Sequence, residues 1–204
     1  MVGETRALIV GVVALLASFS TTADELQVHV ACRDGAPHGA YELRAPSGEI
    51  RVAGAFNRGK RTGSFIFWTS NGIRVAHIPY DEGHLSGTVS LWFEQTIAGR
   101  DPQPKLQAAF TAGHRNGVSR SWYPDGQPRA IYRYEVDVLA DARAWTRAGA
   151  PLPESETREL AARDRAEDEK YYASLDAMVR ANLPACDERA PGGTRARTDV
   201  DRSG

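Results

Sequence analysis

The chain has 204 residues, with 25 Lys and Arg against 26 Asp and Glu, a formal charge of −1. At 42% hydrophobic and 25% charged residues it has the usage of an ordinary globular domain, which argues against a disordered chain or a polytopic membrane protein. It also lacks the basic excess of a dedicated nucleic-acid binder. Glycine is enriched, at 19 residues, and its placement decides the fold.

The first element is the apolar run from Ala7 to Phe19. It is too short to span hydrocarbon as a helix, which takes roughly 20 residues, and suits the core of a signal peptide. Arg6 precedes it, and Thr21-Thr22-Ala23 offers a small-residue cleavage site. The expectation is a signal peptide over 1–23 and a mature chain that starts at Asp24 with a short lead-in over 24–31; the alternative is an uncleaved anchor. Cys32 and Cys186 are the only cysteines. In an oxidising compartment a lone pair with no CxxC spacing predicts a disulfide.

From Cys32 onward the chain is periodic. An aromatic residue is followed at fixed offsets by two glycines in Phe56-x-x-Gly59-x-x-x-Gly63, Tyr80-x-x-Gly83-x-x-x-Gly87 and Phe110-x-x-Gly113-x-x-x-Gly117. The first copy has Cys32, Gly35 and Gly39 at these places. A fifth, degenerate copy leads with Tyr134 and has Asp137 in place of its first glycine. Leading residues 32, 56, 80, 110 and 134 are spaced by 24, with one step of 30 that marks an insertion between Glu94 and Pro104, where Gly99 replaces the expected turn glycine. Trp68, Trp92 and Trp122 each follow their leading aromatic by 12 residues. A period of this size is the signature of a repeat architecture.

Each copy reads as a β-hairpin. Ser64–Trp68 is rich in strand formers, Ser70-Asn71-Gly72 is a turn, and Ile73–Tyr80 returns. Positions 0, −2 and −4 from the leading aromatic carry Phe56, Gly54 and Val52; Tyr80, Ile78 and Ala76; Phe110, Ala108 and Leu106; Tyr134, Tyr132 and Ala130. That period of two predicts one buried face. Alternate positions, including Arg51, His77, Lys105, Gln107, Arg129 and Arg133, predict a largely wet opposite face.

These motifs resemble the MORN-repeat-variant proteins of bacteria over about Cys32 to Gly149, with Gly35-Ala36-Pro37-His38-Gly39 closest to the family's loop. The resemblance implies a repeat scaffold for protein or lipid contact, in a family often labelled putative antitoxin. It brings no catalytic residues. The Gly-x-Gly ending of eukaryotic MORN repeats is absent here.

After Gly149 the period becomes helical. Pro153 and Ser155 open a segment with Glu154, Glu156 and Glu159 near its positive end, and it runs to Leu183 before Pro184. Within it the charged run Arg163–Lys170 reads as a solvated face, and 185–204 reads as a disordered tail. The expected fold is therefore mainly β, an elongated antiparallel meander of five hairpin repeats over 32–149 followed by a long C-terminal helix over 150–184. Four steps of about 10 Å make the sheet about 40 Å long, and Ser155–Leu183 as a helix is about 43 Å long. A helix folded back along the sheet brings Cys186 to Cys32, with Tyr171, Leu175, Met178 and Val179 over the early repeats. The alternative is a helix that projects away.

No nucleophile elbow, Walker loop, dinucleotide fingerprint or HExxH motif occurs. His38, His84 and His114 fall in the Gly-x-x-x-Gly loops, but repeat-equivalent positions about 10 Å apart cannot share a zinc ion whose ligands sit near 2 Å. Residues 32–134 hold 13 Lys and Arg against 8 Asp and Glu, whereas 135–204 hold 11 against 15, so a basic sheet and an acidic helix attract one another. The densest basic loop is Arg58, Lys60 and Arg61. The expectation is an exported, non-enzymatic scaffold in the periplasm or cell envelope with an unidentified protein partner, no nucleic acid and no small-molecule cofactor. Alternatives are peripheral binding of anionic lipid through Arg58, Lys60 and Arg61, or an antitoxin or immunity role.

Overall fold

A computed structural model describes residues 25–95 and 101–186. The segment read as a signal peptide, residues 96–100 of the insertion with Gly99, and the tail from 187 lie outside the described residues. The fold is a single antiparallel sheet of eleven strands in meander order, followed by one helix. The strands are β1 (Gln27–Arg33), β2 (Ala36–Arg44), β3 (Ile50–Asn57), β4 (Lys60–Trp68), β5 (Arg74–Asp81), β6 (His84–Leu85), β7 (Gly87–Trp92), β8 (Pro104–Thr111), β9 (His114–Trp122), β10 (Pro128–Glu135) and β11 (Val138–Ala144). The helix α1 spans Glu154–Ala181. β1 begins inside the segment read as a lead-in, because Val28 and Val30 already face the core beside Leu26.

The aromatic-x-x-Gly segments are tight two-residue turns and not open loops. Arg58-Gly59, Glu82-Gly83 and Val136-Asp137 all have positive φ at both positions, the conformation that matches strand twist across a two-residue hairpin. The second of each pair also ties consecutive repeats together. The amide of Gly59 donates to the Pro37 carbonyl (2.8 Å), Gly83 to Arg61 (2.9 Å), Gly113 to Leu85 (2.8 Å) and Asp137 to Arg115 (2.9 Å). Asp137 thus stands in for the missing glycine at φ 67°, a conformation Asp tolerates better than most residues. The wider turns lie at the other end of the hairpins. At Asn71-Gly72 the Thr69 amide donates to the Ile73 carbonyl and only Gly72 has positive φ.

A register break recurs where each return strand begins. Trp68 pairs with Arg74 while Phe67 pairs with Ala76, and Trp122 pairs with Pro128 while Ser121 pairs with Ala130. One residue in each break is left over, and a bulged residue leaves the alternation. This overturns the wet-face reading for Lys105 and Arg129. Arg129 turns to the helix side and grips Asp164, Lys105 reaches the ring of Tyr171, and at the same place Val75 joins the core.

The helix crosses the strands in reverse chain order. Asp164 meets β10, Asp168 meets β9, Tyr172 meets Phe110 on β8 and Asp176 meets Arg61 on β4. The chain then delivers Cys186 to Cys32 on β1, with Cα atoms 5.6 Å apart in a disulfide. Helix and sheet match in length as expected: 28 residues make about 42 Å. Closing a loop over a sequence separation of 154 is worth about 5 kcal/mol on the chain-entropy model.

The core gathers Tyr41, Phe56, Phe65, Phe67, Ile78 and Leu91 under Leu175 and Val179. Phe65 is its hub, with ring centroids 5.5 Å from Phe56 and 5.4 Å from Tyr80, both edge-on. Gly54 sits directly beneath, since a Cβ there would lie 2.6 Å from the Phe65 ring. That glycine is required for space, not for its backbone angle. Met178, expected over the early repeats, instead lies 39% exposed.

Candidate interaction surfaces

The face of the sheet under α1 is occupied. Along the helix the inward residues Thr157, Ala161, Asp164, Asp168, Tyr172, Leu175 and Val179 recur every three or four positions, so the charged run is not wholly solvated. Two of its aspartates are sheet-facing, with side chains 12% and 16% exposed.

Asp164 takes both guanidinium nitrogens of Arg129 at 2.7 Å and the Tyr132 hydroxyl at 2.8 Å. Burial, then the charge of Asp164, pushes the Tyr132 phenol far up. Asp168 accepts from Arg115 at 3.0 Å, and Arg115 is itself sandwiched between Phe110 and Tyr134 at 5.3 and 5.6 Å. Burial holds the Asp168 carboxyl above its ordinary value although Arg115 opposes the shift. The attraction between basic sheet and acidic helix is therefore made of specific pairs.

The three basic residues of this loop have different fates. Arg61 pairs with Asp176, stands over the Phe65 and Tyr80 rings, and is only 12% exposed. Lys60 pairs with Glu82 at 3.0 Å. Lys60 and Arg58 are both solvent-facing, and Arg58 alone of the three has no ion pair among the described residues.

The three histidines at the turns have separate surroundings. His114 Nδ1 bonds Asp137 at 2.6 Å, and that carboxylate also accepts from the Arg115 amide at 2.9 Å. His38 Nδ1 lies 3.4 Å from the Arg58 amide, and His84 lies against Gly113. Among the described residues no group of three or more His, Cys, Asp or Glu is placed to hold a metal ion.

The opposite face of the sheet has no element packed over it among the described residues. Alternation from buried Phe65 and Phe67, Val89 and Leu91, and Ser119 and Ser121 places Trp68, Trp92 and Trp122 on this outer face. All three are half-buried. Arg44 occupies their place in the first repeat, salt-bridged to Glu42 at 2.7 Å. Arg74 stacks on Trp92 at 4.2 Å. Neither Arg74 nor Arg120 has a carboxylate partner among the described residues. The tryptophan spacing was legible in the sequence. The stacked arginine was not, because it arises from the register break that moves Arg74 to this face.

Fold and surfaces together define a class: a disulfide-closed sheet of β-hairpin repeats with one face covered by its own helix and the other open. No protein-family model matches the chain, and no curated protein matches it by sequence. The disulfide is compatible with an exported protein, and among the described residues no helix is long and apolar enough to cross a membrane.

Proposed function

We propose that this chain is an exported, non-enzymatic MORN-like repeat scaffold that binds a protein partner in the periplasm or cell envelope through the outer face of its sheet. The observation that carries this reading is the row of Trp68, Trp92 and Trp122, with Arg74, which has no carboxylate partner among the described residues, stacked on Trp92. Trp and Arg are the residues most enriched among binding hot spots, and charged residues other than Arg are depleted there. The inner face is covered by the protein's own helix.

The test is affinity capture from envelope extracts with wild type and with the double variant R74E/W92A, whose sites lie away from the core. A defined partner recovered by wild type and lost at least about tenfold by a normally folded variant supports the reading. Equal recovery by both overturns it. The lipid alternative draws on Arg58, Lys60 and Arg61, of which Arg61 is taken up by Asp176 and Lys60 is paired at the surface with Glu82, so it has less support.

A further inference from the structure

The two edges of the sheet are finished differently. β11 is partly covered, since the Leu152 amide donates to the Ala144 carbonyl at 2.9 Å and Trp145 bridges to Pro151. β1 pairs with β2 on one side, and among the described residues no backbone hydrogen bond reaches its other side. Along its seven residues, Gln27–Arg33, every second one therefore turns an unpaired N–H and C=O outward. Such an edge accepts another strand unless proline, lysine or a bulge blunts it. β1 contains neither proline nor lysine. Its register shift against β2 takes up extra residues of β2 alone, so β1 runs unbroken from Gln27 to Arg33.

The side chains of this strand are also incompletely covered. Leu26, Val28 and Val30 pack on the core but are only partly buried, whereas Tyr41, Leu43 and Val52, in line with them on the next two strands, are fully buried. On the opposite side stand Gln27, His29, Ala31 and Arg33, all exposed, with exposed Glu25 just ahead. Glu25 has no ion pair among the described residues. Arg33 has one long contact to Asp34, at 3.9 Å and largely in water.

We propose that β1 is the contact strand of a homodimer, in which two copies join antiparallel through this edge about a two-fold axis at His29. Opposed residues must lie on the same face of the sheet, so only registers that set odd residues against odd are allowed. With His29 on the axis, Glu25 of each copy stands opposite Arg33 of the other, Gln27 opposite Ala31, and Val28 opposite Val30. An axis at Val28 sets Glu25 against Ala31, and one at Val30 sets Gln27 against Arg33, so neither pairs the charges. Opposite charges directly across an antiparallel pair stabilise it, and like charges oppose it. The strand is thus complementary to its own reverse, which is the requirement for a two-fold contact and selects a second copy over an unrelated strand. The valines carry the apolar row of the core across the seam. Both helices stay on one side of the joined sheet and both tryptophan rows on the other. The inference does not depend on what the tryptophan face binds.

The test is analytical ultracentrifugation of the whole exported protein with its disulfide intact. At about 100 μM the wild type is expected to sediment as a dimer that dissociates on dilution. E25R and R33E each create two like-charge contacts in the dimer, and each is expected to weaken it about tenfold. An equimolar mixture of the two variants is expected to regain about wild-type strength as the mixed dimer, because every altered charge then meets its opposite. Both positions are exposed, and unchanged thermal midpoints check that the fold is kept. A wild type that is monomeric at every concentration overturns the proposal and leaves the edge to a strand of another protein. A dimer that withstands both substitutions, a mixture that fails to restore it, or a dimer broken by W92A overturns it as well.

Discussion

Between Cys186 and Tyr172 the chain lies mostly on an apolar bed of aromatic and aliphatic rows, with Arg61–Asp176 as an ion pair set into it, whereas between Asp168 and Thr157 the helix lies on arginines, serines and tyrosines beside a smaller apolar cluster of Ala130, Ala144 and Ala161. The hairpin frame beneath is common to both ends, with the same two-residue turns and the same ladder of turn amides. What differs is the filling of equivalent positions. A dry end is stabilised by area removed from water and a disulfide; an ionic end holds position through geometry, since a buried pair contributes little net energy but costs much when one partner is lost. The repeat frame tolerates either.

The sharpest way to break this comparison is to truncate equivalent positions. Phe65→Ala, at the hub of the dry end, is expected to lower unfolding free energy by about 3–5 kcal/mol. Ser119→Ala, at the matching place, is expected to change it by less than about 1 kcal/mol, because it removes a buried hydroxyl that has no partner. Denaturant unfolding of both variants checks this, and equal losses refute the idea that the ends differ in kind.

The next largest effect lies in the ionic end. Asp164→Asn leaves Arg129 half-buried without its carboxylate and weakens the bond to Tyr132, and is expected to cost about 2–3 kcal/mol, toward the lower side of buried-pair losses because Arg129 is 27% exposed. Pairing it with Arg129→Met is expected to recover most of that loss. If the double variant is as unstable as the sum of the singles, the pair is not the unit that holds this part of the helix.

The frame was legible in the sequence because it is written in turns and alternation. The aromatic-x-x-Gly spacing located every tight turn, Asp137 was identified as a stand-in, and helix length against sheet length delivered Cys186 to Cys32. What was not legible came from two sources. Register breaks shift one residue per return strand, so Arg129 and Lys105 changed faces and Arg74 reached Trp92, and strict period-two counting cannot show a bulge that no glycine announces. Charge runs are the second source. Arg163–Lys170 alternates in sign as a solvated face does, yet Asp164 and Asp168 fall on the same helical stripe as Ala161 and Leu175, a signal present in the spacing but outweighed by composition. Within the basic loop, Arg61 alone was not legible as inward, since its partner lies 115 residues away, while Arg58 and Lys60 remain exposed.

The smallest expected effect separates two aspartates within the ionic end. Asp137, near the surface, accepts from His114 and from the Arg115 amide, and these bonds hold its carboxyl below the ordinary value of 3.8. Asp168 is moved above 3.8 by burial. The signs are opposite. Unfolding raises the Asp137 pKa, so the unfolded chain binds the extra proton; its stabilisation is full above about 3.8 and is lost as pH falls through the lower folded value. Unfolding lowers the Asp168 pKa, so its contribution is present below 3.8 and is lost as pH rises through the higher folded value. Solvent screening limits the Asp137 contribution to a few tenths of a kcal/mol. Carboxyl carbon titration of the folded protein reads both midpoints directly. The expected order is Asp137 below Asp168, and His114→Ala is expected to move Asp137 upward while leaving Asp168 in place. A reversed order would mean that the helix does not bury Asp168 against β9, and the ionic end would then be an ordinary solvated face.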